Sequence, residues 1–424
     1  MIMKKCHSMR WIFWILAVIF YCYEYTLRVA PSVMVKDIMS AFSIDAGLFG
    51  GLIAFYLYAY APMQLPAGIL MDRYGARKLL TVALILCALG SIMFGLTGDL
   101  MIARLGRFLM GAGSAFAFVG LVYICSHWFS GKRMAFLVGF GNSLGMIGAV
   151  GGQGPLSFVV DSIGWRDTYL SLGILGFVLA ILILFIVRNQ SNTKTQAKEV
   201  ASLKEVFKNF KIILQNPWTW VNSVIALLFY TTTVNFAGLW AVPFFQTAYG
   251  FNKALAGFAA STIYIGWIVG GPFIGHWSDR LGKRKPILLL FSLIAFFAIT
   301  AVIYLEHLPV WLVFTLLLVG GIALSGQLLT YTLSVELNIS RAKGSAIAFT
   351  NFMVFLAGAI IQPFVGYLLD RHAHITGTQA VNLFSVADYH FALMIFPLSL
   401  ALAFLVTLFL KEKKHQDHRA DFIL

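Results

Sequence analysis

Charge is scarce in this chain, and acidic charge is scarcest: 17 Asp and Glu stand against 31 Lys and Arg in 424 residues, 11% charged in all. A soluble domain carries about 25% charged residues, so that class is excluded. Cysteine is rare as well. Cys6, Cys22, Cys87 and Cys125 show no paired metal-ligand spacing, and three of them fall in or beside apolar runs, where a thiol behaves as a small hydrophobe. No metal centre, and no other cofactor, is expected. Long polar stretches are also missing. The one example is RNQSNTKTQAKEVASLKEVFKNFKIILQNP, close to the middle of the chain, whose SLKEVFKNFKIIL portion has the spacing of a helix lying along a membrane surface.

What remains is apolar. The chain is 60% hydrophobic, arranged in runs of roughly 20 residues, the length a helix needs to cross the ~30 Å hydrocarbon core. Spans are predicted at 11–34, 46–70, 79–97, 101–126, 134–160 and 168–187, then at 218–246, 255–276, 287–305, 309–335, 343–368 and 389–410. The N-terminus MIMKKCHSMRWIFWILAVIF resembles a signal peptide. Its apolar run continues through Glu24 and Arg28 with no cleavage site, so it reads as a retained first span. The expected architecture is an all-α polytopic membrane protein: twelve transmembrane helices in two pseudo-symmetric six-helix bundles. Their predicted bounds are 1–187 and 218–410, with a linker at 188–217 and a tail at 411–424.

The cations sort the two faces. With the N-terminus cytoplasmic, 24 of the 31 lie in inner segments. This bias places both termini inside and makes the net charge of +14 a matter of topology rather than of nucleic-acid binding. The expected partners are the lipid bilayer and a small-molecule substrate, with the chain a monomer in a bacterial inner membrane.

Repeats reinforce the division into halves. GILMDRYGARK at 68–78 returns as GHWSDRLGKRK at 275–285, with Asp72 and Asp279 207 residues apart. Asn142 and Gln153 are eleven residues apart, as are Asn351 and Gln362, and the two pairs are separated by 209 residues. Eleven residues is about three helical turns, so each pair shares a face. Intramembrane amides repeated this way are expected to face a shared interior and to bind substrate.

The repeated loop, G-x-x-x-D-R-x-G-x-R-[RK], resembles the signature of the major facilitator superfamily. RFLMGAG at 107–113 resembles that family's fourth-span motif. The resemblance implies a secondary transporter whose halves rock around a midplane site. It also implies gating roles for Asp72, Arg73, Gly75 and Arg77, and for Asp279, Arg280, Gly282 and Arg284. Asp72 is expected to meet the start of span 11 near Arg341 to Gly344, and Asp279 the start of span 5 near Arg133. In each case a carboxylate faces a positive helix end. YEYTLRVAPSVM resembles nutrient importers of the same superfamily.

Charges inside the spans point to the substrate. Glu24 lies about 20 Å up the first helix, with Arg28 one turn further on the same face. Arg107 enters span 4 by about two turns, and spans 1 and 4 are neighbours in the family fold. Charge at this depth marks a transport pathway, although a structural ion pair is the competing reading. As the one acid clearly inside a span, Glu24 is the proton-coupling candidate. Arg28 and Arg107 are candidates to fork onto a substrate carboxylate or phosphate. Tyr25, Asn235 and Gln327 join the four repeated amides as lining candidates. The expected function is proton-coupled symport of an amino acid, short peptide or organic acid. Export of a carboxylate siderophore or drug is the alternative. GNSLG at 141–145 matches a hydrolase pattern around Ser143 and leaves an enzyme as a remote third reading.

Overall fold

The computed structural model describes residues 2–130, 132–189, 210–339, 342–377 and 384–412, and among these the regular structure is helical throughout. Ten helices are long and apolar enough to cross a membrane. Two of them are double. Ala46–Leu96 is broken at Gly75 (φ 77°), and Phe136–Ile186 at Gly164 (φ 81°). Both angles are open to glycine without steric cost. The spans therefore number twelve, close to the expected bounds. Span 11 is the exception: it runs Lys343–Thr376, about two turns past its predicted end.

Local chemistry sets the helix starts. The side chains of Asp45, Asp99, Asn216 and Asn252 accept backbone N–H groups of Leu48, Met101 and Ile102, Trp218 and Leu255. Each such cap is worth about 1 kcal/mol. Span 8, Lys253–Leu281, ends on Gly282 in the left-handed region (φ 60°).

Small residues bring the helices together. In lipid, packing and backbone approach take over from the hydrophobic effect between helices. A Cβ on Gly111 would collide with the Tyr56 carbonyl, and one on Gly148 with the Cys22 carbonyl. Gly141 and Gly145 likewise pack on Leu121 and Tyr21. GNSLG is thus a packing stretch inside the helix Lys132–Gly151, with no strand-to-helix elbow to expose Ser143. The hydrolase reading is corrected on that ground.

The repeated charged loops lie on the cation-rich face and tie each half to itself. Arg77 Nε donates to Leu184 O at 2.7 Å, and the Arg77 backbone N–H donates to Asn189 Oδ1 at 3.1 Å. In the second half Lys285 Nζ donates to Leu408 O at 2.7 Å and to Leu410 O at 3.1 Å. Each loop therefore sets a cation on the C-terminal carbonyls of the last span of its own bundle, a favourable charge–dipole arrangement. Of the expected surface helix, residues 210–214 are helical and Ile213 is buried against Ala342, Ala346 and Phe349. Residues 190–209 lie outside the described residues.

Gly148→Ala forces spans 1 and 5 apart and should lower stability by about 1–3 kcal/mol, the usual cost of overpacking. A Cβ on Gly139 meets nothing within 4 Å, so Gly139→Ala should leave the melting temperature unchanged or raised. Thermal unfolding of the two purified variants, side by side, checks both outcomes.

Candidate functional site

At the level where the two bundles meet, Arg28 is ion-paired with Glu24 one turn before it, and both are buried. The guanidinium sits in an aromatic box. Its carbon is 4.6 Å from the Tyr25 ring, 4.8 Å from Tyr60, 6.0 Å from Tyr56 and 4.9 Å from Phe355. Phe355 belongs to span 11, so the box is closed by the opposite half. Tyr230, Tyr264 and Tyr331, also from the second half, lie within electrostatic reach of Arg28. Desolvated cation–π contacts of this kind are worth about 2 kcal/mol and hold the charge without neutralising it. Arg28 Nε and Glu24 Oε2 are both left without a hydrogen-bond partner. The pair thus retains unused donors and an unused acceptor in a place where water is scarce.

Arg107 is 1% exposed and lies nearby but does not complete a triad. Its guanidinium donates to Leu27 O at 3.0 Å and stands 4.9 Å from the Tyr56 ring, with Tyr169 beside it. Among the described residues no carboxylate pairs with it. Glu24, Arg28 and Arg107 are therefore linked only indirectly: Tyr56 lies near both arginines and donates to the Glu24 backbone carbonyl at 3.4 Å. Two cations and one anion leave this region with a net positive charge.

The repeated amides separate by depth. Asn142 accepts from Tyr21 OH at 3.1 Å, and Asn351 accepts from Tyr331 OH at 2.7 Å, so each joins its helix to a neighbour in the same half. Gln153 and Gln362 lie further toward the cation-poor face, in the seams between halves. Gln153 Nε2 donates to Ser32 Oγ at 3.1 Å and to Ala237 O at 2.6 Å. Trp240 donates to Gln362 O at 3.3 Å. Asn235 is fully buried in a π-helical stretch, Thr232–Trp240, where it donates to Thr231 O at 3.0 Å and keeps Oδ1 unpartnered. Gln327 is held within its own turn by Thr330 at 3.4 Å.

These seams contain residues the sequence reading passed over. A Cβ on Gly50 would come within 2.5–2.9 Å of the Gln362 and Pro363 backbone, and one on Gly257 within 2.9–3.1 Å of that of Gln153 and Gly154. The signal was present: Gly50 and Gly257 are 207 residues apart, the offset of the charged loops. The inter-half hydrogen bonds and ion pairs, including those of Asp370 with Ala46 and Gly47 and of Lys253 with Asp161, lie on the cation-poor side of Arg28. That face is closed.

On the cation-rich face the gating candidates keep to their own halves. Asp72 is exposed, makes no hydrogen bond or ion pair among the described residues, and has His127 of its own bundle as its charged neighbour. Arg73 stands over Tyr74, and Gly75 packs against the Asn189 amide. Arg284 bonds Ser278 at 2.5 Å and Glu336 at 3.4 Å, while its backbone and that of Lys285 bond Glu412. Arg280 is exposed. The Asp279 side chain and Arg341 lie outside the described residues.

Known proteins resemble this chain in sequence and fold. A probable hexose phosphate transport protein of Chlamydia pneumoniae is 22% identical over 408 residues, covering 89% of this chain and 88% of the relative. A probable sulfoacetate transporter of Cupriavidus necator is 25% identical over 281 residues, covering 64% of this chain and 65% of the relative. The structure of a bacterial homologue of the human lysosomal transporter Spinster, inward-facing and unoccupied, has the same fold. Its TM-score is 0.70 at 19% identity, covering 94% of this chain and 95% of that one. The family model described as Major Facilitator Superfamily matches residues 13–363. Twelve spans, the repeated loop and this match lead to one conclusion: the chain belongs to the major facilitator superfamily and is a multi-pass membrane transporter of a small molecule, not an enzyme.

Proposed function

We propose that this transporter carries a small organic anion together with a proton, through a site centred on Arg28. The observation that carries the proposal is the Arg28–Glu24 pair, buried where the halves meet and left with donors to spare. A guanidinium presents five N–H donors in a planar fork, and Glu24 engages only part of it. An incoming oxyanion takes the free donors and competes with Glu24 for the charge. A carboxylate that loses its cation in a water-poor site takes up a proton rather than stay ionised. Anion binding and proton uptake are then one event, and reversing it on the other side releases both.

The relatives narrow the substrate. Hexose phosphate and sulfoacetate carry phosphate, sulfonate or carboxylate groups, all of which a guanidinium fork accepts in bidentate fashion. The net positive charge left by Arg107 favours the same class. Neither name points to the amino acids or peptides expected from sequence, so phosphorylated, sulfonated and carboxylic organic acids take their place. Asn235, Gln327, Asn142 and Asn351 are offered as hydrogen-bond partners for the polar body of the solute. Gln153 and Gln362 act at the seams. Asp72 and Asp279, with their neighbouring cations, gate the cation-rich face when it closes. We take 1–187 and 218–410 as the rocking bodies, joined through 188–217, in a bacterial inner membrane with the tail 411–424 cytoplasmic. In that orientation the closed, cation-poor face is the outer one.

Three experiments test this reading. With a substrate found by thermal-shift screening of sugar phosphates, sulfonates and sugar acids, Glu24→Gln in proteoliposomes should abolish accumulation driven by a pH gradient. Exchange of labelled for unlabelled substrate at equal pH should survive. Arg28→Lys keeps the charge but loses the fork and should weaken binding roughly tenfold or more. Wild-type uphill uptake by Glu24→Gln would refute proton coupling at this residue. For orientation, single cysteines placed within 190–209 should resist an impermeant maleimide added outside right-side-out vesicles. Labelling there would invert the topology.

A further inference from the structure

The cation-poor face is fastened at two places, and the chain's internal repeat relates them. In the first, Lys253 at the start of span 8 reaches across to the first half. Its Nζ is 2.8 Å from Asp161 Oδ1 at the end of span 5 and 3.5 Å from Asp37 Oδ2 on the short helix Val35–Phe42. In the second, Asp370 near the end of span 11 reaches across to the start of span 2. There it accepts the backbone N–H of Ala46 at 3.0 Å and of Gly47 at 2.6 Å.

Asp161 and Asp370 are 209 residues apart, the offset of Gln153 and Gln362. Ala46 and Lys253 are 207 apart, as are the N-caps Asp45 and Asn252 and the seam glycines Gly50 and Gly257. Each seam therefore repeats one set of parts: a capped helix start, a glycine one turn in, and, on the partner helix, a glutamine followed by an acid. The caps differ, Asp45 against Asn252, and so does the cation. Span 8 supplies a lysine, whereas span 2 supplies the unpaired N–H groups and positive end of its own helix.

We infer that Asp161 and Asp370 are paired gating residues, each closing the cation-poor face by clasping the N-terminal start of a span in the opposite half. They stand at the face opposite the repeated loop aspartates, Asp72 and Asp279, so each six-helix repeat carries one acid for each gate. The clasps differ in strength. Lys253 faces two carboxylates, Asp161 and Asp37, whereas Asp370 faces the like charge of Asp45, the cap of the helix it holds. Their job is to bias an equilibrium between two states, for which small free energies suffice. This inference rests on the alternating-access reading, but its test needs neither a substrate nor an assigned orientation.

The test uses purified full-length protein in nanodiscs, with the four native cysteines replaced and one cysteine introduced. Ser261 is fully buried in the seam, bonded to Gln153 and Gly257, so Ser261→Cys reports seam opening. Ser292, fully buried in span 9 and away from both seams, gives a control probe as Ser292→Cys. Asp161→Asn or Asp370→Asn should speed maleimide labelling of the seam probe by about threefold, and the double variant by about tenfold, as expected for partly exposed charge contacts. Lys253→Arg should keep the parent rate. The control probe should not respond to any of these changes. Unchanged labelling of the seam probe in the double variant would overturn the inference. Equal acceleration at both probes would overturn it too, because the acids would then serve general stability and not the gate.

Discussion

A guanidinium in the middle of a bilayer is the constraint around which this molecule is organised. Arg28 cannot be deprotonated at any accessible pH, and placing it at membrane depth costs several kcal/mol unless partners offset the lost water. Glu24 supplies the counter-charge from the same helix, one turn away, so the pair forms as soon as span 1 is helical. Tyr25, Tyr56 and Tyr60 then cover the cation from one half, and Phe355 covers it from the other. The halves meet on a charge that belongs to neither a lipid face nor a closed core. That makes the junction a place where an anion can enter and where moving one half changes what the cation touches.

The second constraint is the repeat. Two bundles of common design meet through seams of one register, with Gly50 on Gln362 and Gly257 on Gln153 letting backbones touch. Close backbone contact gives a seam that is either packed or parted, with little in between, which suits a two-state carrier better than a compliant interface. On the cation-rich face the loop cations hold the ends of their own bundles, tying each half to itself. Symmetry is broken around Arg28, where we propose that the substrate binds: the first half places Glu24, Arg28 and Arg107 there, and the second answers with Asn235 and the phenols of Tyr230, Tyr264 and Tyr331. Charge on one side and neutral donors and acceptors on the other is an arrangement that orients an anion with a polar body.

The spans and their number were legible from hydropathy, because the bilayer imposes one length and one compositional rule on every crossing. The Glu24–Arg28 pair was also legible, since i and i+4 on a helix are neighbours whatever surrounds them. Depth and partnership were harder to read. Asn142 and Gln153 were expected to share a face, yet the helix Lys132–Gly151 ends before Gln153 (φ −121°, ψ −89°), and eleven residues cover about 16 Å of helix axis. One therefore bonds a tyrosine within its own half while the other sits in an inter-half seam. Whether Arg107 touches the ion pair was left open by the sequence; it bonds a carbonyl, because adjacency of spans 1 and 4 does not fix the rotation of either helix. Asp161, Asp370 and Lys253 looked like ordinary loop-end charges, and only their partners across the seam single them out.

The sequence by itself determined what depends on local spacing and on the solvent: twelve apolar helices, the internal repeat, and an acid–base pair one helical turn apart. The tertiary structure alone decided which of the two faces is shut, which glycines bring backbones into contact, and which side chains of one half complete the surroundings of Arg28 in the other. Periodicity carries no information about those choices. They turn on the relative rotation and depth of helices far apart in the chain, which packing settles only when both bundles are in place.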